Sequence, residues 1–365
     1  MITDSYLKIS GVQSTVGQVV DIDTWAKQHP LPHAKKPGES LTGTDIRQII
    51  GIEGKSWEPE KFRDPNLLVN MARNSLDMAR LKPSELEAVI IVTGTPYNLM
   101  FDLDTMDLMQ RLGLPDHLTP IQMNAGCGGF ARAFNLANRL RSRHTLVICY
   151  QLTSAYAEGN GLERYRHNPH HPYAKHLWMS PTLFSDGAAT VVLTQTETQQ
   201  GHCFYSRDSQ SFGPERDSLG SPLVHFLGGG AYQVGGEHDT ELQCYGMEGE
   251  AIRTYYLEGM FLNHQQLQEL NPTYLKQIKR LYTHQASPRL VHSFLEAFIQ
   301  QTQADRNLFC TSVQNMGNIS AASTLHLLAE DVRQGNVRHG DLIGFSVVGA
   351  GPERGGILTQ ITLSD

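Results

Sequence analysis

Cysteine is scarce in this 365-residue sequence, whose five cysteines are widely spread and form no Cys-x-x-Cys pair. Such numbers and spacing fit neither a disulfide framework nor a zinc site, so a functional cysteine is expected to act as a free thiol. The sequence also lacks an apolar run long enough for a signal segment or a membrane span, and a basic run interleaved with aromatic residues. We therefore expect a cytoplasmic protein whose partners include neither membrane nor nucleic acid.

Charged residues are also sparse, at 18%, and the net charge is only −7, whereas 40% of the residues are hydrophobic. This composition excludes a disordered chain and supplies enough apolar side chains for a large core. At this length the chain forms either two domains or one duplicated unit.

An internal repeat favours the duplicated unit. Residues 82–96 (KPSELEAVIIVTGTP) and 271–287 (NPTYLKQIKRLYTHQAS) each contain a helical turn, an apolar strand and a polar loop. Residues 119–151 and 308–348 share a second plan, in which a turn, a buried helix and a strand follow one another. Alternating strands and helices predict an α/β protein with helix-covered parallel sheets. We place one half at residues 1–198 and the other at residues 199–365.

Cys127 lies in the turn Asn-Ala-Gly-Cys-Gly-Gly-Phe, between an apolar strand and a helix. The flanking glycines allow a tight turn and a close approach of substrate, and we expect the helix N-terminus to lower the pKa of the thiol. These features predict a nucleophile that attacks a thioester carbonyl. The alternative is a small buried apolar residue, which is the usual role of a cysteine.

His284 and Asn318 occupy the corresponding strand-to-helix loops of the second half. A neutral imidazole at a strand end can present its N–H to a reacting oxygen, although a hydrogen-bonded structural histidine is the alternative. The amide of Asn318 can donate to a developing enolate, although asparagine is also a common helix N-cap. Because the carboxyl ends of parallel strands build sites, the repeat predicts that Cys127 shares one site with both residues.

Four motifs in this order resemble the β-ketoacyl-ACP synthase III family across nearly the whole chain. They are GCGGFARAF for the nucleophile loop, THQASPRL for the histidine, GNISAAS for the asparagine, and SDGAATVVL for the strand that closes the first half. The resemblance implies a thiolase fold, with two βαβαβαββ halves in a five-layered αβαβα body, and a homodimer. It also implies no metal or other cofactor, the substrates being thioesters of coenzyme A or of acyl carrier protein.

The chemistry implied by the resemblance is an acyltransferase reaction that ends in a decarboxylative Claisen condensation. Cys127 would take the acyl group, and His284 and Asn318 would stabilise the enolate of a malonyl or β-ketoacyl thioester. The oxyanion would be bound by the backbone N–H groups of Cys127, Gly349, Ala350 and Gly351. The thiolate needs no separate strong base, which is consistent with the absence of a carboxylate from the three motifs that contain Cys127, His284 and Asn318.

Further positions are interpreted through the same resemblance. Phe101 matches a phenylalanine that reaches into the acyl pocket of the other subunit, and Arg289 is placed to meet a carrier protein or a phosphopantetheine phosphate. Asp45 and Ile49 stand near the places of the tryptophan and arginine that sandwich the adenine of coenzyme A. We therefore expect a donor other than acetyl-CoA, and a role in specialised polyketide or fatty acid biosynthesis.

Two segments are enlarged relative to that family. Residues 156–180 contain four histidines without regular metal-ligand spacing, which favours a solvated loop over a metal site. These histidines are His167, His170, His171 and His176. Residues 206–239 are rich in glycine and form either a cover over the acyl tunnel or a surface loop.

Two other functions stay open from the sequence. An acyltransferase of the same fold would move the acyl group from Cys127 to an alcohol or amine, with His284 as general base. A non-catalytic subunit would shape the pocket of another condensing enzyme, although the intact cysteine, histidine and asparagine argue against it. HMG-CoA synthase is disfavoured because the glutamate that its family places after the first-half strand is missing from TGTPYNLMFD.

Overall fold

The computed structural model describes residues 3–33, 35–36, 38–99, 101–157, 178–208, 224–226, 245–247, 249–349 and 351–363. Several positions singled out in the sequence lie outside the described residues. They are His167, His170, His171, His176, Ala350 and the glycines at 228–230 and 235–236.

The strands are short to medium in length and are numbered in chain order. They are β1 (Thr3–Ser5), β2 (Leu7–Val16), β3 (Val19–Asp21), β4 (Gly54–Ser56), β5 (Ala88–Thr93), β6 (Pro120–Asn124), β7 (His144–Gln151), β8 (Gly187–Gln195), β9 (Gly201–Arg207), β10 (Val224–Phe226), β11 (Tyr245–Met247), β12 (Arg280–Thr283), β13 (Leu342–Gly349) and β14 (Glu353–Gln360).

The α-helices alternate with these strands. They are α1 (Ile22–Gln28), α2 (Gly43–Ile49), α3 (Pro59–Arg63), α4 (Asn66–Met78), α5 (Leu103–Leu112), α6 (Gly129–Leu140), α7 (Thr153–Ala157), α8 (Met179–Leu183), α9 (Gly249–Leu270), α10 (Tyr274–Gln277), α11 (Pro288–Thr302), α12 (Val313–Met316) and α13 (Ala322–Arg333). In the part of the chain that the structure describes, none of them combines the length and apolar character needed to cross a membrane.

Two five-stranded sheets carry the fold, with the strand orders β2-β8-β7-β5-β6 and β1-β9-β14-β13-β12. In the first sheet β8 pairs antiparallel with β2 and β7, whereas β5 pairs parallel with β7. In the second sheet β14 pairs antiparallel with β9 and β13, whereas β12 pairs parallel with β13. The same succession of pairings in both sheets is the spatial counterpart of the sequence repeat. The strand β1 departs from it, because it belongs to the first half in sequence but pairs with β9.

Helices lie between the two sheets and outside both of them. The central helices α6 and α13 each contact strands of both sheets. Helices α4 and α5 cover the outer face of the first sheet, and α9, with α11 packed beside it, covers the second. The layers therefore follow one another as αβαβα, which confirms the expected fold class.

The central layer is held by aromatic side chains at helical spacing. Phe130 and Phe134 of α6 are fully buried, and the Phe130 ring lies 5.1 Å from the ring of Phe345 in β13. Burying each such ring contributes about 1.5–3 kcal/mol, so α6 is fixed against the second sheet at its first turn. The loop before α6, which contains Cys127, is thereby held at the boundary between the two halves.

Candidate active site

The Cys127 loop joins the end of β6 to the start of α6 and is shaped by close packing. A Cβ on Gly129 would overlap Cγ1 of Val92, and a Cβ on Gly128 would lie 2.8 Å from Cγ of Glu353. Neither glycine has a positive φ. The flanking glycines are therefore required by the space around the loop rather than by an unusual backbone conformation.

Asn318 is brought to Cys127 from the second half, with its amide Nδ2 4.0 Å from the cysteine Sγ. Nδ2 also donates to the Ala286 carbonyl at 3.1 Å, and the side-chain oxygen accepts from the Ser320 backbone N–H at 2.7 Å. The N-cap of α13 is Ala321, so the interpretation of Asn318 as the cap of this helix is wrong. Because an amide nitrogen carries two N–H groups, one of them remains for a group at the thiol.

His284 lies directly after β12, buried, and lines the same cavity as Cys127 and Asn318. Its backbone N–H donates to the Ser346 carbonyl at 2.9 Å, and its carbonyl accepts from the Tyr256 hydroxyl at 2.9 Å. Burial lowers the pKa of the imidazole to about 3, so the ring is neutral at physiological pH. Its Nδ1 has no partner among the described residues, which leaves the ring available to a substrate.

The pKa of the Cys127 thiol is higher than the sequence led us to expect. Burial raises its pKa to about 11, and hydrogen bonds from Ser320 and Asn318 oppose this only in part. Ser320 Oγ lies 3.8 Å from the cysteine Sγ. The expected lowering of the thiol pKa is therefore wrong, because loss of hydration at this position outweighs the hydrogen bonds that favour the thiolate.

Three residues of the glycine-rich turn, Gly349 to Gly351, were expected beside Cys127. The structure places Gly349 beside the Cys127 loop. A Cβ on Gly349 would lie 2.7 Å from the backbone nitrogen of Gly128, and Gly349 lines the cavity. Gly351 belongs to the same turn, but a Cβ there would meet the Glu353 side chain at 3.7 Å. Gly349 thus lies close to the backbone of Gly128, the residue after Cys127.

Glu353 is a carboxyl group beside the nucleophile loop that the motifs did not indicate. It is buried, its side chain packs between Gly128 and Gly349, and its Oε2 accepts a hydrogen bond from the Tyr205 hydroxyl at 2.7 Å. Burial raises the pKa of this carboxyl, and its negative charge raises the pKa of Cys127.

A cavity of about 590 Å³ connects these residues with the protein surface. Its walls are largely apolar and include Leu183, Phe184, Ile252, Tyr256 and Val348. Its mouth is formed by the exposed residues Ile49, Arg253, Arg289 and His292. An apolar channel with cations at its entrance suits an extended substrate that ends in an anionic group.

Solved structures with the same fold align over nearly the whole chain. The 3-oxoacyl-(acyl carrier protein) synthase III FabH of Pseudomonas aeruginosa PAO1 has a TM-score of 0.73 and 18% identity, covering 99% of this chain and 100% of that one. A variant of Xanthomonas campestris OleA has a TM-score of 0.77 and 15% identity, covering 99% of both chains. The priming β-ketosynthase of the R1128 polyketide pathway has a TM-score of 0.75 and 19% identity, with coverages of 99% and 98%.

Sequence comparisons point to the same group. The family model described as 3-oxoacyl-[acyl-carrier-protein (ACP)] synthase III C terminal matches residues 269–361, which include His284 and Asn318. The β-ketoacyl-[acyl-carrier-protein] synthase III of Clostridium perfringens (strain SM101 / Type A) is 26% identical over 324 residues, 87% of this chain and 90% of that protein. The corresponding protein of Cereibacter sphaeroides (strain ATCC 17029 / ATH 2.4.9) is 25% identical over 345 residues, 91% and 96% of the two chains. Over most of its length the chain is similar to thiolase-superfamily enzymes of the β-ketoacyl-ACP synthase III type.

Two departures of this chain from the β-ketoacyl-ACP synthase III pattern lie on α2, and only one of them reaches the cavity. Asp45 forms the capping box of that helix: its carboxylate accepts from the Thr42 backbone N–H at 2.9 Å, and its own backbone N–H donates to the Thr42 hydroxyl at 3.1 Å. Ile49 is 47% exposed at the cavity mouth. The mouth therefore offers an aliphatic side chain at the position where the resemblance leads one to expect a group that contacts adenine.

The structure does not bring Phe101 to the cavity of its own chain. Its side chain is 75% exposed, and three neighbouring apolar residues are exposed as well. These neighbours are Leu99, Leu103 and Met106. Among the residues that the structure describes, no group of histidine, cysteine or acidic side chains is arranged to hold a metal ion.

Proposed function

We propose that this condensing ketosynthase carries its acyl group on Cys127 and stabilises the enolate of the extender with His284 and Asn318. The observation that carries the proposal is the meeting of a free thiol, an amide nitrogen 4.0 Å away and a neutral imidazole in one apolar cavity. These three groups come from two halves of the chain, and each has a hydrogen-bonding capacity that the protein leaves open.

In the first step the Cys127 thiolate attacks the carbonyl of an acyl thioester. The new carbon–sulfur bond forms as the bond to the donor sulfur breaks, and the donor leaves as a thiol after taking up a proton. The oxyanion of the tetrahedral intermediate accepts hydrogen bonds from the backbone N–H groups of Cys127 and of the turn at Gly349. Close contact between Gly349 and Gly128 supports this assignment.

In the second step a malonyl thioester loses CO₂, and the electrons of the broken carbon–carbon bond move into the thioester carbonyl. The enolate oxygen accepts hydrogen bonds from the neutral His284 ring and from the free N–H of Asn318. The enolate carbon then attacks the acyl group on Cys127, which releases the thiolate and a β-ketoacyl thioester.

The low pKa of His284 favours this reaction over acyl transfer to an alcohol or amine. Transfer to a heteroatom requires a base that removes a proton from the acceptor, and an imidazole with a pKa of about 3 is a weak base at neutral pH. A neutral imidazole is, in contrast, a suitable hydrogen-bond donor to an enolate. Decarboxylation supplies the carbanion without any proton abstraction.

The carrier of the donor is proposed to be an acyl carrier protein. Arg253 and Arg289 are exposed at the cavity mouth, where they can meet a phosphate or an acidic protein surface, and Ile49 offers no stacking surface for adenine. We further propose a cytoplasmic homodimer in which the exposed Phe101 and its apolar neighbours lie at the interface.

Intact-mass spectrometry with panels of acyl-CoA and acyl carrier protein thioesters tests the first step. We expect one acyl adduct on the wild type and none on Cys127→Ala. Cys310→Ala is the matched control, because Cys310 is the other partly exposed free cysteine among the described residues. An adduct that persists in Cys127→Ala would exclude the assigned nucleophile.

Release of CO₂ from a malonyl thioester tests the second step. Asn318→Ala should retain the acyl adduct but lose roughly 10²–10³-fold in decarboxylation, which is typical for the removal of one donor to an oxyanion. Undiminished CO₂ release from this variant would show that condensation does not depend on Asn318, and transfer to a heteroatom would then become the better hypothesis.

A further inference from the structure

A fully buried lysine, Lys55 in β4, makes three hydrogen bonds to backbone carbonyls. Its Nζ donates to the carbonyls of Pro181 at 2.8 Å, Thr182 at 2.9 Å and Phe184 at 2.6 Å. These carbonyls lie in the last turn of α8 and just beyond it, where a helix leaves its carbonyl oxygens without partners. A lysine ammonium has three N–H groups, so all of them are used here.

The segment that Lys55 holds is bonded in turn to Asn318. The Asn318 backbone N–H donates to the Leu183 carbonyl at 3.0 Å, and the Ser185 backbone N–H donates to the Asn318 carbonyl at 2.9 Å. Leu183 and Phe184 also line the cavity of the proposed site. Residues 181–185 therefore connect Lys55 directly to the backbone of the residue whose amide lies beside the thiol.

The strand that carries Lys55 reaches the Asn318 loop from its other side as well. The Glu53 backbone N–H donates to the Gln314 carbonyl at 2.8 Å, and a Cβ on Gly54 would overlap the Asn315 carbonyl. The Asn318 loop is thus in contact both with β4 and with the segment that Lys55 holds.

We propose that Lys55 is a positioning residue for Asn318, whose ammonium group fixes residues 181–185 and thereby the direction of the Asn318 amide during enolate formation. The inference rests on the proposed condensation and adds to it a group that touches no substrate. It assigns to Lys55 an effect on decarboxylation and none on the loading of Cys127.

The surroundings of Lys55 make its charge sensitive to pH. Its Nζ lies 4.7 Å from the centroid of the Trp25 ring and 5.2 Å from that of Trp57. The ionisable groups that interact with it are Asp186, which favours the ammonium, and His29. Burial lowers the pKa of Lys55 to about 7. The neutral amine that forms above this pH has two N–H groups, so one of the three carbonyls loses its donor.

The test uses the acyl-enzyme, in which Cys127 is already blocked and no longer titrates. The full-length protein is loaded with acyl donor, freed of excess donor and mixed with malonyl thioester between pH 6 and pH 9. Loading and CO₂ release are measured separately. We expect CO₂ release to fall on the alkaline side with a midpoint near pH 7, and loading to rise with pH.

Three variants test whether Lys55 causes the alkaline fall in CO₂ release. Lys55→Met should lower CO₂ release by roughly ten- to a hundredfold, the size expected for a small misplacement of a catalytic group, and leave loading within a factor of about two. Lys55→Arg keeps a cation and should recover much of the rate without the alkaline fall. His117→Asn, in the exposed loop between α5 and β6, should keep the wild-type profile.

Failure of the proposed role of Lys55 can be distinguished from failure of the proposed condensation. A wild type that neither loads acyl groups nor releases CO₂ would refute the condensation itself. A wild type that does both, but whose CO₂ release is flat from pH 6 to pH 9, would refute the role of Lys55 even if Lys55→Met does not fold. Equal losses of loading and CO₂ release in Lys55→Met would show a structural role only.

Discussion

Ser320→Ala should make the Cys127 thiol less reactive, although the two residues are 193 positions apart in sequence. The Ser320 hydroxyl lies 3.8 Å from the cysteine Sγ, and its hydrogen bond lowers the pKa of a thiol that burial has raised to about 11. The hydroxyl stabilises the thiolate more than the thiol, because charged acceptors form the stronger hydrogen bonds. Its removal therefore raises the pKa of Cys127 further.

The size of this effect follows from the hydrogen bond. A bond to a charged group contributes about 1.5–3 kcal/mol, and we take the lower end because the distance between oxygen and sulfur is long. About 1.4 kcal/mol corresponds to one pKa unit, so the variant should hold roughly tenfold less thiolate at any pH below 10. In the wild type the thiolate is already only about one part in ten thousand at pH 7.

Alkylation by iodoacetamide, followed by intact-mass spectrometry, measures the thiolate directly. The wild-type rate should rise about tenfold per pH unit between pH 7 and pH 10, and the Ser320→Ala profile should run parallel to it and roughly tenfold lower. Ser323→Ala is the matched control, since its hydroxyl contacts the Asn318 side-chain oxygen at 3.5 Å.

A second variant should change the same rate in the opposite direction. Glu353→Gln removes the negative charge that raises the pKa of Cys127 but keeps an acceptor for Tyr205, so alkylation should become faster where Glu353 is ionised. Equal or faster alkylation of Ser320→Ala, or slower alkylation of Glu353→Gln, would refute this electrostatic account of the thiol.

Three further predictions concern packing, assembly and stability. Gly129→Ala should lower the free energy of unfolding by about 1–3 kcal/mol in denaturant titrations, because its Cβ would overlap Val92, whereas Gly126→Ala, whose Cβ would meet only Ser320 at 3.6 Å, should have a small effect. Phe101→Asp should convert the proposed homodimer to a monomer in analytical ultracentrifugation, whereas Leu140→Asp, at the end of α6 remote from Cys127, should not. Lys55 has a pKa of about 7 when folded and 10.5 in its ordinary state, so the unfolded chain binds more protons between these values and raising the pH favours folding. The stability of the wild type relative to Lys55→Met should accordingly rise by roughly 1.4 kcal/mol per pH unit between pH 7.5 and pH 8.5, and a difference that falls with pH would contradict the lowered pKa of Lys55.

The repeat in the sequence was sufficient to predict two helix-covered sheets and the meeting of Cys127, His284 and Asn318, whereas the five-layered architecture was predicted from the family resemblance. Equivalent strand-to-helix loops occupy equivalent places in two similar sheets, so residues far apart in the chain become neighbours once the sheets pack through shared central helices. The division at residue 198 stays a prediction, and β1 shows that the sheets do not follow it strictly, since its residues 3–5 pair with β9. Pairing between a chain end and a distant strand leaves no periodic signal in the sequence.

The residues that support the site could not be predicted in this way. Lys55 stands in Glu-Gly-Lys-Ser, a local sequence typical of an exposed turn, and its burial results from α8 packing over it. Glu353 is the first residue of β14, where nothing in the sequence indicates that its carboxyl group packs against Gly128. The shift in the pKa of Cys127 was predicted in the wrong direction. The helix terminus is visible in the sequence, whereas the loss of hydration is not.

The dipoles of the two central helices, α6 and α13, act on the Cys127 thiol together with the burial that raises its pKa. α6 begins two residues after Cys127 and α13 begins two residues after Ser320, so the positive ends of both helices converge on the thiol. Dehydration outweighs these dipoles in the resting enzyme, which keeps the thiol protonated. In the proposed reaction, the dipoles would remain in place as negative charge develops on the thiolate, the tetrahedral oxyanion and the enolate in turn. Fixed dipoles in a dehydrated site stabilise such transient charges without reorganising. In the proposed reaction, the same burial that weakens the resting nucleophile would therefore strengthen the stabilisation of every anion that follows it.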